Sequence, residues 1–236
     1  VKSGSQAEQT GAIMIAFEKE LIQNPCDLVL VVGDVNSTMA CSIVAKKCNT
    51  KVAHVEAGIR SGDLTMPEEI NRKISDHISD INLTYTENSR RYLLSEGFRK
   101  DHVFVIGSPL KEVLQVHSSK INSSNVLEQL QLTSKKYIVV SSHREENVDI
   151  DANFIALTNA LNKVAEKYQL PVIFSTHPRT KKRIESQKIA FHPLIQNVAP
   201  LGFFDYVQLQ QNAFIVLSDS GTISDESAMM KFPAVS

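Results

Sequence analysis

Tryptophan is absent from the 236 residues, and cysteine occurs only three times. Cys26, Cys41 and Cys48 have no metal-type spacing, and their odd number argues against a disulfide framework. A reducing, cytoplasmic setting follows from that usage. No apolar run approaches the ~18 residues needed to span a bilayer, and no signal peptide opens the chain, so no membrane partner is expected. Neither sign of charge is in excess: the formal net charge is −1, which removes the bulk electrostatic basis for binding nucleic acid. There is no internal repeat, no low-complexity segment, no GxGxxG and no Walker loop. No histidine pair stands at i, i+3 or i, i+4 within a plausible helix, so neither a metal nor a cofactor is expected. Position 1 is not Met, and the sequence stops at KFPAVS as an apolar run begins. Both ends therefore read as cut from a longer polypeptide.

What is present is an alternation. Residues 7–23 space Ile13, Met14, Phe17 and Leu21 as a helix does, and LVLVV (28–32) follows as a continuous β-rich run. The pattern repeats through STMACSIVAKKC, KVAHV (51–55), MPEEINRKISDHISD, INLTYT (81–86), SRRYLLSEG, HVFVIGS (102–108) and PLKEVLQVH. Residues 118–135 are rich in Ser and Asn and read as a linker with a short helix. The alternation then restarts: YIVVSS (137–142), a helix near 150–168, PVIFST (171–176), a helix near 179–188, LIQNVAP, FFDYVQLQQN, FIVLSDS (214–220) and TISDESAMMK. Short unbroken strands separated by helices predict parallel sheets covered on both faces. The restart predicts two doubly wound α/β domains, residues 1–118 and 119–236, with a cleft between them.

Open parallel sheets bind ligands at the carboxyl ends of their strands, and the unusual residues gather there. LVLVV ends in Gly33-Asp34, where Asp34 either caps the next helix or does chemistry. KVAHV runs directly into Glu56, a poor cap and therefore a candidate for proton transfer. YIVVSS leads into His143-Arg144 and PVIFST into His177-Pro178-Arg179. Two His/Arg pairs at strand ends suit an anion such as a diphosphate. FIVLSDS leads into Ser220-Gly221-Thr222 at a helix start, where backbone N–H groups and a glycine make an anion cradle. Glu226, one turn inside, is placed either to reach a sugar hydroxyl or to cap the helix start.

The stretch HVEAGIRSGDLTMPEEINR (54–72) crowds four carboxylates together. Glu56 at its strand end and Glu68 at a helix start are the catalytic candidates. Asp63 reads as surface loop, and Glu69 with Arg72 as an i, i+3 pair on a helix face.

Taken together, GSQAEQT, VVGDVNST, HVEAGIRSGDLTMPEEINR, SSHREENVD, STHPRT and SDSGTISDES resemble the non-hydrolysing bacterial UDP-N-acetylglucosamine 2-epimerases along essentially the whole chain. The resemblance implies a GT-B-like pair of Rossmann-like domains and a homodimer. It implies acid/base carboxylates at Asp34, Glu56 and Glu68, and UDP held by His143, the Ser220-Gly221-Thr222 helix start and Glu226 on the ribose. It implies C2 inversion of UDP-N-acetylglucosamine through a 2-acetamidoglucal, for surface polysaccharide precursors. It also implies an opening strand with a Gly-Thr-Arg-Pro-Glu loop and a closing C-terminal helix, neither of which this sequence contains. The stretches TYTENSRRYLLSEGFRKDHVFVIGSPLKEVL and APLGFFDYVQLQQNAFIVLSDSGT are similar to a sister group acting on UDP-2-acetamido-2,6-dideoxyhexoses. A nucleotide-sugar binding module without activity and a glycosyltransferase of the same architecture are the other readings.

Overall fold

The computed structural model describes residues 4–142, 144–176, 178–187 and 189–236. The chain divides into two compact units, Val1–Pro109 and Leu110–Ser236. The sequence draws the first domain to residue 118, whereas residues 110–118 cluster with the second unit.

The first unit runs α1 (Gln6–Gln23), β1 (Leu28–Val32), α2 (Asn36–Lys47), β2 (Lys51–Val55), α3 (Pro67–Ile78), β3 (Ile81–Thr84), α4 (Glu87–Ser95) and β4 (Val103–Val105). A reciprocal capping box starts α1: the Ser5 hydroxyl accepts from the Glu8 N–H, and the Glu8 carboxylate accepts from the Ser5 N–H. Pro67 opens α3, where its missing N–H costs nothing. The strands pair in parallel in the order β1-β2-β3-β4.

A sheet that advances steadily in one direction through right-handed crossovers places its connecting helices on one face. Accordingly Phe17 and Leu21 of α1 and Ala45 of α2 pack on Val31 and Val52, and Leu93 of α4 packs on Val103. The side chains alternating with these, Leu28, Leu30 and Val32 on β1 and Phe104 on β4, remain between 45% and 59% exposed.

The second unit begins with α5 (Leu110–Val116), α6 (Ser118–Asn122) and α7 (Val126–Gln129). It continues through β5 (Ile138–Ser141), α8 (Glu145–Val148), α9 (Asp151–Tyr168), β6 (Val172–Ser175), α10 (Pro178–Ser186) and β7 (Ile195–Val198). It ends with α11 (Phe203–Gln211), β8 (Ile215–Ser218), α12 (Ile223–Met230) and β9 (Ala234–Val235). The order is β7-β6-β5-β8-β9, all parallel. Here the order reverses at β5, so helices fall on both faces, as the sequence leads one to expect. Val139, Ile173 and Val216 face one cluster with Leu209 and Ile223. Ile138, Val140, Val172 and Phe174 face the other with Phe154 and Leu161. Each such side chain contributes about 1.5–3 kcal/mol by leaving water.

Candidate functional site

In the first unit the polar groups sit where β1 and β2 end. Gly33 takes φ +76° and lets β1 turn; its N–H donates to the Val55 carbonyl at 3.1 Å. Glu56 follows with φ +73°. That left-handed backbone is uncommon for a residue with a side chain, and such strain concentrates at functional positions. Gly58 (φ +76°) lies so close to α4 that a Cβ there would stand 2.6 Å from the Ser89 carbonyl oxygen.

Asp34 does not cap α2. The residue before that helix is Val35, which makes no side-chain cap, and the Asp34 carboxylate instead pairs with the Arg72 guanidinium. The same Arg72 Nη2 lies 3.6 Å from Glu56 Oε1. One buried arginine on α3 therefore bridges both strand-end carboxylates. This replaces the expected Glu69–Arg72 helix-face pair, since three residues apart on a helix did not decide which neighbour Arg72 turns toward. Asn71, one residue earlier, donates to the Asp34 backbone carbonyl at 2.9 Å and to Asn36 Oδ1 at 3.1 Å. It also lines a cavity of about 460 Å³ between α1, α2 and α3, with Met14, Met39, Pro67 and Ile70.

Glu69 is 1% exposed. Its carboxylate accepts from the Ser61 N–H at 2.9 Å and the Ser61 hydroxyl at 3.1 Å, anchoring the 59–66 loop. Glu68 points the other way. It is exposed, and among the described residues it has no ion pair or hydrogen bond. Asp63 is exposed as expected and accepts from the N–H and hydroxyl of Thr65.

In the second unit, β5 and β8 are neighbours whose connections leave in opposite directions, which makes their carboxyl ends a topological switch point. Asp219 organises it. Its Oδ2 accepts from the Ser142 hydroxyl (2.7 Å), the Arg144 N–H (3.1 Å) and the Asn147 amide (3.0 Å). Its carbonyl accepts from Arg144 Nε at 2.7 Å. Gly221 adjoins the same guanidinium: a Cβ there would lie 3.9 Å from Nη2.

The Ser220 and Thr222 hydroxyls are 2.9 Å apart, and Thr222 Oγ1 donates to Glu226 Oε1 at 2.6 Å. The other Glu226 oxygen accepts from Gln210 Nε2 at 2.8 Å. Burial raises the Tyr206 hydroxyl's pKa; a bond to Ser141 opposes this, and the charges of Glu226 and Asp219 add to it.

Arg144, Ser220, Gly221, Thr222 and Glu226 are thus brought together. His143 and His177 lie outside the described residues, as does the Arg179 side chain. Gln210 and Tyr206 were not singled out from the sequence, Arg72 was read there only as the helix-face partner of Glu69, and Asp219 only as part of the helix-start stretch. Arg72 and Asp219 both stood inside stretches already marked as unusual, so only their partners were hidden. Gln210 and Tyr206 stood in an ordinary amphipathic helix and carried no signal.

Two parallel sheets with polar strand ends, one of them at a topological switch point, define a Rossmann-like α/β class of protein. The family model described as UDP-N-acetylglucosamine 2-epimerase matches residues 1–236, and the chain belongs to that family. A UDP-N-acetylglucosamine 2-epimerase of Methanocaldococcus jannaschii is 36% identical over 243 residues, covering 100% of this chain and 66% of that protein. A UDP-2,3-diacetamido-2,3-dideoxy-D-glucuronate 2-epimerase of Pseudomonas aeruginosa is 31% identical over 236 residues, covering 100% of this chain and 65% of its own length. Among solved structures, the M. jannaschii UDP-GlcNAc 2-epimerase in complex with UDP-GlcNAc and UDP superposes with a TM-score of 0.89 at 36% identity. That match covers 98% of this chain and 66% of the other. The chain thus spans about 66% of the length of the curated relative from M. jannaschii.

Proposed function

We propose that the protein to which this chain belongs inverts C2 of UDP-N-acetylglucosamine to give UDP-N-acetylmannosamine. The observation that carries the reading is the pairing of Asp34 and Glu56 on one arginine at adjacent strand ends, in a chain of this family.

The chemistry asks for these groups. C2–H of an N-acetylhexosamine is not acidic, because no carbonyl stands beside it. Breaking C1–O sends the bonding pair to the diphosphate oxygen of UDP, and a carboxylate takes the C2 proton as the C1=C2 double bond forms. Re-addition of UDP with a proton delivered to the opposite face of C2 gives the epimer, with no net oxidation. Asp34, Glu56 and Glu68 are the proposed proton-transfer groups, work that positioned carboxylates speed by about 10²–10⁴-fold. The proposed UDP site comprises His143, Arg144, His177, Arg179, Ser220, Gly221 and Thr222, with Glu226 on the ribose. Cations and helix-start amides suit a leaving diphosphate. The reading includes a cytoplasmic homodimer that serves polysaccharide precursor synthesis.

Incubation with UDP-GlcNAc in D₂O tests it. Formation of UDP-ManNAc carrying deuterium at C2 supports the reading. Tight UDP binding without exchange identifies a nucleotide-sugar binding module instead. The Pseudomonas relative's different sugar makes a second substrate arm necessary. Exchange with a UDP-2-acetamido-2,6-dideoxyhexose or a UDP-diacetamido uronate, but not with UDP-GlcNAc, reassigns the substrate.

A further inference from the structure

Behind the paired carboxylates lies a second set of charges that the reaction does not touch. His54, one residue from the end of β2, and Asp76, on α3, are both fully buried. His54 Nε2 lies 2.8 Å from the Gly33 carbonyl, and Nδ1 lies 2.8 Å from Asp76 Oδ1. A carbonyl only accepts, so Nε2 carries a proton. A second proton must then lie between Nδ1 and Oδ1, whichever of the two atoms holds it.

The remaining Asp76 oxygen is saturated by the Gly58 N–H (3.2 Å) and Arg60 Nη1 (2.7 Å). Arg60 in turn grips Glu96 through two bonds of 2.8 and 2.7 Å. Burial alone lowers the Arg60 pKa, but the Glu96 and Asp76 bonds and charges more than reverse this, and the guanidinium is held cationic. The chain His54–Asp76–Arg60–Glu96 runs from the sheet interior to the surface.

Each inner end of this chain touches one strand-end turn. Gly33 immediately precedes Asp34, and Gly58 closes the turn that holds Glu56 at φ +73°. Burying charge at a position whose register partner on β1 is Val31 is a poor way to gain stability, because an apolar side chain of similar size is commonly neutral or better. What the charges supply is fixed geometry. We propose that His54 and Asp76 are positioning residues, whose shared proton sets the Asp34 and Glu56 turns relative to each other. This rests on the epimerase reading for what the two carboxylates do.

The test measures C2 exchange and steady-state kinetics in the full chain for His54→Gln and Asp76→Asn, with UDP affinity alongside. Misplacing a reacting group by an ångström costs up to ~10²-fold, so kcat should fall about 10–100-fold while KM and UDP affinity hold. Unchanged kcat in folded variants overturns the proposal, and so does a rise in KM without loss of kcat. If both variants fail to fold, Glu96→Gln at the surface end decides. It should lower kcat severalfold at constant KM, and a normal kcat there overturns the proposal. ¹⁵N-histidine NMR of the unsubstituted protein supplies an arm independent of activity. Two slowly exchanging ring N–H protons on His54 are expected, or one such proton together with a protonated Asp76. A ring nitrogen that takes part in no shared proton overturns the proposal. Absence of C2 exchange in the unsubstituted chain would defeat the epimerase reading instead, and the NMR arm would still judge the shared proton.

Discussion

Arg72 pairs with Asp34 through a single terminal nitrogen that also faces Glu56 at 3.6 Å. A guanidinium between two carboxylates keeps them close without mutual repulsion, and it does so from α3, the helix that also carries Glu68 one turn earlier. Substituting Arg72 by Met leaves two like charges facing each other at adjacent strand ends. C2 exchange should fall by about 10²-fold, and added guanidinium ion should restore part of it. Arg72→Lys should retain more exchange than Met, since both contacts come from one nitrogen and an ammonium keeps the charge between the carboxylates. Exchange rates with and without guanidinium check this.

Glu56→Gln should abolish C2 exchange while UDP binds normally. Deuterium incorporation followed by NMR, together with calorimetric titration of UDP, separates the two effects. Near-normal turnover would remove Glu56 from the reaction.

Glu69 and Glu68 are neighbours with opposite fates. Glu69→Ala unties the Ser61 N–H and should cost about 1–3 kcal/mol, read as a lower denaturation midpoint. Glu68→Ala should leave the midpoint in place and lower exchange, because its carboxylate is exposed and holds nothing among the described residues.

Gly58→Ala should destabilise the first unit by about 2–6 kcal/mol, from left-handed backbone strain plus the clash with the Ser89 carbonyl. Thermal unfolding measures it. Gly97→Ala is the comparison: its φ is +93°, but nothing lies within 4 Å of the added Cβ, so only the backbone contribution remains.

Acid should weaken the first unit through two carboxylates. The Arg60 hydrogen bond holds Glu96 below its usual pKa, against an opposing effect of burial. For Asp80 burial pushes upward, but the Lys46 and Val52 N–H bonds prevail and the net shift is down. A depressed folded pKa contributes stability above the ordinary carboxylate range, and that contribution is lost as pH falls through the folded value. Melting temperature should therefore drop progressively below about pH 4.5. Glu96→Gln and Asp80→Asn should each flatten that slope, and a pH series of melts checks it.

Much of the architecture was legible in the residues alone. Unbroken runs such as LVLVV, YIVVSS and FIVLSDS are too short for helices and too apolar for loops, so their strand identity follows from local chemistry. Their ends exposed Asp34, Glu56 and the Ser220–Thr222 turn as candidates, because polar residues after a buried strand need a reason. Strand order was not legible, since it depends on which strands meet in space. It advances from β1 to β4 in one unit and reverses at β5 in the other.

By itself, then, the sequence determined the α/β alternation and the places where chemistry collects, because period and strand ends are properties of neighbouring residues. Tertiary structure alone decided the partners. The i, i+3 spacing permits Glu69 and Arg72 to meet, yet folding sends Glu69 inward to Ser61 and Arg72 across to Asp34 and Glu56. It also joins His54 to Asp76 over 22 residues. A side chain's partner is chosen by what the packed elements bring within about 3 Å of it, and no reading along the chain supplies that distance.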